Sequence, residues 1–201
     1  MRKAALLAVL AVLCFATSAF ADNIIFDLSP TNGVTNRSAG NGTGQGVIAD
    51  STTTINSMSF FLDSPNGGNF KFFIFNGTND DLLFLQTEHV DPISQMQWVS
   101  SPEFNFTLQA GNTYYFGIIS DASADYGYIY PPINYSNNGL TAVTTGNSNY
   151  TGYGEPIFAG NGAAEIGLQL GQTGIPEPGS IVMLGSGVLG LAGVLRRKLM
   201  L

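Results

Sequence analysis

Cysteine is almost missing from this chain: of 201 residues only Cys14 carries a thiol. It lies inside the apolar run Ala4–Ala16, which follows Arg2 and Lys3 and precedes the small-residue stretch Thr17–Ala21. A basic head, a short apolar helix and small side chains that fit a peptidase groove are the marks of a secretory leader. The spacing of Ala19 and Ala21 predicts cleavage after Ala21, so that the mature chain begins at Asp22 without its cysteine. Lipid attachment at Cys14 is disfavoured by Leu13, which stands where a small residue is needed. An exported domain without cysteine has no disulfides and must fold on buried apolar surface alone. About 150 residues are enough for that.

Positive charge is the second scarcity. All 14 acidic residues lie between Asp22 and Glu177, where Arg37 and Lys71 are the only cations, giving this stretch a formal charge of −12. Phosphate neutralisation needs many Lys and Arg side chains, which argues against nucleic acid and anionic lipid headgroups as partners of this part of the chain. Cations, neutral glycans and other exported proteins fit it better. Charged residues make up 10% of the chain, against about a quarter in ordinary globular proteins. Asn, Thr, Ser and Gly supply the polar surface instead, as suits an extracellular protein in a hydrated matrix. Asn-x-Ser/Thr triplets begin at Asn36, Asn41, Asn76, Asn105, Asn134 and Asn149, a pattern that chains rich in these residues also produce by chance.

Helical periodicity is absent from Asp22 onward. Short apolar runs alternate with turn formers, the pattern of many short strands. The predicted strands are Asn23–Leu28, Gly46–Asp50, Thr54–Leu62, Asn69–Phe75, Asp81–Thr87, Met96–Ser100, Glu103–Leu108, Thr113–Ser120, Tyr126–Tyr130 and Glu165–Leu170. Phe104, Phe106 and Leu108 alternate with Glu103, Asn105 and Thr107, and Ile166, Leu168 and Leu170 with Gly167 and Gln169, the period of a sheet with one buried face. The connectors Ser64–Asn69 and Asn76–Asp80 hold residues that tolerate positive φ in tight turns. Ten such runs predict an all-β, antiparallel β-sandwich of the jelly-roll kind over residues 22–174. The strands at Asn69–Phe75 and Thr113–Ser120 are apolar on both sides, which reads as central strands covered on both faces in preference to a ligand groove. Gly40–Gly46 reads as a flexible loop and Tyr126–Tyr153 as a loop-rich stretch, and there is no internal repeat.

Catalytic and metal-binding residue types are also sparse. His89 is the only histidine, set in a local run with Glu88 and Asp91. Triad members come from separated parts of a fold, so this run reads as a solvated strand end. One histidine and no cysteine cannot furnish a zinc site, and the Gly40–Gly46 run lacks the spacing and the lysine of a phosphate loop. No cofactor is expected. Calcium is the one candidate ion, with Asp121 and Asp125, or Asp80 and Asp81, offering hard oxygen donors outside any EF-hand spacing. A glycosidase needs only two facing carboxyl groups. Small polar loops leave little material for a deep cleft, and the chain is read as no enzyme.

The end of the chain is different. Gly179–Leu195 is an uncharged run of 17 residues, which as a helix spans about 25 Å, just enough for a membrane. Arg196, Arg197 and Lys198 follow at once as a cytoplasmic stop. Gly187, Gly190 and Gly193 give the predicted helix a small-residue face that suits close helix packing. Before it stand Pro176, Glu177 and Pro178, two fixed-φ residues that hold one carboxylate extended near the membrane surface.

This order of Pro-Glu-Pro, short apolar helix and basic end over Ile175–Leu201 resembles the PEP-CTERM sorting signal of Gram-negative bacteria. The apolar Leu199–Leu201 extends past the basic cluster, where many such tails stop. The resemblance implies recognition by an exosortase, a membrane-embedded cysteine protease or transpeptidase. It also implies export, transient membrane anchoring before processing, and an association with exopolysaccharide-producing, biofilm-forming bacteria. The expected organisation is a leader at 1–21, an ectodomain at 22–174 and a sorting segment at 175–201. The ectodomain is expected to be a structural or adhesive protein of the cell surface or matrix. The alternative is a carbohydrate-binding module in which Trp98, Tyr126, Tyr128 or Tyr130 stacks on sugar rings.

Overall fold

The structure, a computed structural model, describes residues 23–29, 32–78, 80–162 and 164–172. The leader with Ala19 and Ala21, the Pro176–Glu177–Pro178 motif, the apolar run 179–195 and the cations Arg196, Arg197 and Lys198 lie outside the described residues. In chain order the strands are β1 (Asn23–Leu28), β2 (Gly33–Arg37), β3 (Asn41–Ala49), β4 (Thr53–Ile55), β5 (Ser57–Ser64), β6 (Gly68–Asn76), β7 (Leu82–Val90) and β8 (Ile93–Ser100). They continue with β9 (Phe106–Leu108), β10 (Thr113–Ser120), β11 (Ala124–Ile129), β12 (Ser136–Asn137), β13 (Leu140–Thr151), β14 (Ile157–Gly162), β15 (Glu165–Ile166) and β16 (Leu168–Gln172).

Two seven-stranded antiparallel sheets result. The first runs β1-β16-β5-β11-β15, with β2 paired to β11 and β8 to β5. The second runs β12-β13-β3-β10-β6-β7, with β14 paired to β13, and β4 and β9 form a small third sheet. Period-two alternation puts Met58, Phe60 and Leu62 of β5, Leu168 and Leu170 of β16 and Tyr126 of β11 into one core with Phe70, Phe72 and Ile74 of β6 and Phe116 and Ile118 of β10. The rings of Phe60 and Phe72 meet across the layers at 6.3 Å. This is a β-sandwich, as the alternation predicts.

Polar links cross the same core. Gln45 on β3 is fully buried; its Oε1 accepts from Ile166 N at 2.9 Å, and its Nε2 donates to Gly46 O at 3.0 Å and Val143 O at 3.2 Å. One amide thus ties β15 of the first sheet to β3 and β13 of the second. Beside it the buried Glu165 accepts from Ile133 N at 2.8 Å through Oε2, while Oε1 has no partner among the described residues. Burial raises the Glu165 carboxyl above the usual range, and the bond from Ile133 opposes that rise.

The second sheet is covered on both sides, as its sequence predicts for β6 and β10. Outward-pointing Phe73, Phe75, Ile119 and Tyr150 form a separate buried cluster, joined by Tyr115, Tyr153 and Phe158. Phe73 meets Tyr150 edge to face at 4.7 Å. Lys71 holds the cover down: its Nζ donates to Gly154 O at 2.6 Å and lies 4.5 Å from the Tyr153 ring centre.

Two expectations need correction. The Gly40–Gly46 run is no flexible loop, because most of it is β3, a central strand buried along nearly its whole length. Its glycines leave room for aromatic cover: a methyl group at Gly44 would meet the Phe116 carbonyl and the Tyr150 ring, and one at Gly117 opposite would collide with the Phe73 ring. Likewise Tyr126–Tyr153 is not loop-rich, since it holds the end of β11, β12 and the twelve-residue β13. β2 and β14 were also unpredicted, while β1 and β10 have the predicted bounds.

Phe73 is fully buried between Phe75 and Tyr150 and cannot swing aside. Gly117→Ala is therefore expected to lower the unfolding free energy by about 1–3 kcal/mol in a denaturant titration. Gly154→Ala, where nothing lies close to the added methyl, should change it little.

Candidate functional site

The outer face of the first sheet gathers a candidate set of side chains. β5 alternates Met58, Phe60 and Leu62 inward with Ser59, Phe61 and Asp63 outward, so a strand of nearly continuous apolar character still presents a mixed outer row. β8 lies beside it in register, with Trp98 opposite Phe61 and Ser100 opposite Ser59. The rings of Phe61 and Trp98 are half-buried, 5.3 Å apart and tilted by 59°. The hydroxyls of Ser59 and Ser100 are 2.8 Å apart.

On the other side of β5, Asp63 faces Asp125 of β11, and Asp125 faces Asn36 of β2. The Asn36 amide donates to Asp125 Oδ1 at 2.6 Å. Asp63 Oδ1 is shielded and has no partner among the described residues. Partial burial and the like charge of Asp125 raise the Asp63 carboxyl. Across the four strands β8, β5, β11 and β2 the row therefore reads aromatic pair, carboxylate pair, amide. Such a surface stacks against flat apolar rings and accepts hydrogen bonds from hydroxyl or amine donors.

The other predicted residues are placed apart. Tyr126 is a correction: it points into the core, fully buried, with its hydroxyl unpartnered among the described residues and its ionisation pushed strongly up by desolvation, so it cannot stack on a ligand. Tyr128 packs half-buried against the same core. Tyr130 is exposed, and its backbone is tied by both polar atoms of the Asn32 side chain, at 2.9 and 2.5 Å. Asp121 and Asp125 do not converge on one point: both Asp121 oxygens take donors from Asn69, at 2.8 and 2.7 Å, which holds its carboxyl low, whereas Asp125 belongs to the β11 row. Asp80 sits in a turn at φ 56° beside Asp81, both exposed. Among the described residues no group of three His, Cys, Asp or Glu side chains converges as a metal site. His89 lies exposed at the end of β7, with Nδ1 3.2 Å from Asn69 Oδ1 and Nε2 3.9 Å from Asp91. Side chains 67% and 97% exposed make that ion pair weak. Phe61 and Asp63 were not singled out from sequence; the alternation Met58, Phe60, Leu62 against Ser59, Phe61, Asp63 is the signal that finds them.

Comparison with known proteins adds the following. The family model of the PEP-CTERM protein-sorting motif matches residues 174–198, so the chain carries that motif at its C-terminal end, in the segment predicted for it. The motif implies export and sorting to the cell surface. Among curated proteins none matches. The chain is similar to a solved family 35 carbohydrate-binding module from an environmental isolate, at 16% identity, a TM-score of 0.34, and coverage of 63% of this chain and 94% of that one. So loose a superposition carries no argument about this chain.

The Asp63–Asp125 pair gives the site a pH signature. A carboxyl whose folded-state pKa is raised binds its proton more tightly folded than unfolded, so folding loses stability as pH rises through that pKa. Asp63→Asn is expected to be more stable than the natural chain at neutral pH, with the gap closing as pH falls below about 4, where Asp63 becomes protonated in the unfolded state as well as the folded one. Denaturant midpoints measured across pH test this, and equal midpoints at neutral pH would contradict it.

Proposed function

We propose that this chain is a cell-surface or extracellular-matrix protein, delivered through its C-terminal segment and processed there by an exosortase, with an ectodomain that is structural or adhesive and not catalytic. The observation that carries the reading is the PEP-CTERM match at residues 174–198, which encloses Pro176, Glu177, Pro178 and the cations Arg196, Arg197 and Lys198. In this reading Gly179–Leu195 holds the exported chain in the membrane while the proline-braced Glu177 is offered to the processing enzyme. The ectodomain is of jelly-roll type, in keeping with a chain that passes repeatedly from one sheet to the other: β5 in the first, β6 and β7 in the second, β8 back in the first. Its partners are the secretion machinery, the exosortase and matrix polysaccharide.

A second reading, supported by the half-buried Phe61–Trp98 pair with Asp63, Asp125 and Asn36 beside it, makes the ectodomain a carbohydrate-binding module for the matrix. Ring stacking on aromatic side chains supplies the contact, and the carboxylates and amide orient the sugar hydroxyls.

Glu177→Ala is expected to leave the chain membrane-bound and unprocessed in its native host, as read by fractionation and apparent mass. Release as efficient as that of the natural chain would remove the role assigned to the motif. For the second reading, the processed protein on a glycan array should bind at least one polysaccharide, and Trp98→Ala should lower that signal about tenfold, the loss of a stacking contact worth roughly 1.4 kcal/mol. Signal unchanged by Trp98→Ala would place any glycan contact elsewhere.

A further inference from the structure

β7 ends the second sheet. Among the described residues it pairs with β6 alone, although it is nine residues long. Leu82, Leu83 and Leu85 on it are 36%, 42% and 41% exposed. Proteins blunt such edges with Pro, Lys or inward charge. Leu82–Val90 has no Pro and no Lys. The neighbouring edge strand β8, on the first sheet, is by contrast polar at Ser94, Gln95 and Gln97.

We propose that β7 is the seam of a two-fold dimer, in which it pairs antiparallel with β7 of a second copy. The distribution of charge selects this occupant. The stretch Asp22–Glu177 has a formal charge of −12, so most faces of two copies repel, but Leu82–Thr87 carries no charge at all. Acidic residues flank it, Asp80 and Asp81 before and Glu88 and Asp91 after, with His89 beside Glu88. With Leu85 opposite Leu85 of the second copy, Gln86 faces Phe84, Thr87 faces Leu83, Glu88 faces Leu82, and His89 faces Asp81. No acid then faces an acid, and at both ends Asp81 meets the imidazole of His89, a hydrogen-bonding partner. In this register the strand is self-complementary about Leu85.

Packing agrees with the same register. Leu85 lies opposite Phe73 in the β6–β7 ladder, on the face that carries the outer aromatic cluster. Pairing two copies brings Leu85 against its mate and Leu83 against Thr87 of the second copy, extending that apolar layer across the seam. A two-fold seam of this kind is closed, giving a dimer and no filament.

The test uses the exported protein as its host releases it, sized by sedimentation, with circular dichroism as the check on folding. The natural chain should sediment as a dimer. Leu85→Lys and Leu85→Glu, each placing like charges face to face, should each be folded monomers, and an equimolar mixture of the two should recover the dimer. A monomeric natural chain, single variants that remain dimeric, or a mixture that stays monomeric would each overturn the proposal. Should either variant fail to fold, Leu85→Cys decides. Directly opposed residues of an antiparallel pair lie about 4.5–5.5 Å apart at Cα, within disulfide reach. Oxidation should therefore link Leu85→Cys to itself far faster than Val34→Cys, whose position is 54% exposed on β2, and equal rates would refute the seam.

Discussion

Burial of the two inner sheet faces against each other is what the rest of the molecule depends on. The described residues hold no cysteine, so no disulfide assists their core. The work falls on Phe60, Phe72, Phe116 and their aliphatic neighbours, all fully buried. Burying one such side chain contributes about 1.5–3 kcal/mol, and the sum must exceed the chain entropy lost by some 150 ordered residues. The second, outer aromatic layer on the other side of β6 and β10 follows from this need. It adds Phe73, Phe75 and Tyr150 to the buried set, and Gly44 and Gly117 are the condition for it, because side chains there would hold the rings off the sheet.

Where one face of a strand is apolar and the other polar, local sequence places the faces: along Glu103–Leu108 the outer residues are exposed and the inner ones covered, although only Phe106–Leu108 of that predicted strand pairs, as β9. β10, apolar on both faces, was also legible, since a central strand covered on both sides explains Thr113–Ser120 better than a ligand groove does. The β3 glycines were not. Read locally, Gly, Asn and Thr in series are turn formers; they become a central strand only because Phe73 and Tyr150, remote in sequence, supply the surface that glycines lack. β13 was hidden for a related reason, since its Thr, Gly, Asn and Ser residues pair with β3 and owe their order to that partner. The aromatics show the same limit from another side. Tyr126, Phe61 and Trp98 are equally apolar in sequence, and which of them faces the core is fixed by register across strands, where one residue of slip exchanges the two faces.

The two cations of the domain are both structural. Arg37 Nη2 donates to Asn149 Oδ1 at 2.6 Å, joining β2 of one sheet to β13 of the other, and partial burial lowers its pKa while the nearby Tyr126 opposes that change. Lys71 is occupied by Gly154 and Tyr153. The surface left over is one of carboxylates, amides and hydroxyls. Such a surface attracts cationic and hydroxylated partners, and the scarcity of positive charge, visible in composition, is sharper in three dimensions than the count suggests.

Sorting and binding differ in how they are written into the chain. A sorting tail is read in linear order by membrane enzymes, so Pro176, Glu177 and Pro178 followed by an apolar run and three cations are recognisable without a fold. The outer face with Asn36, Phe61, Trp98 and Asp125 is assembled from residues distant in sequence, and exists only once the sheet has formed. Export then sets the conditions under which such faces meet partners. At an ionic strength near 0.1 M the screening length is about 10 Å, so the repulsion between copies of an acidic domain fades beyond the first shell of side chains. What two surfaces do on contact is decided by the few residues that touch.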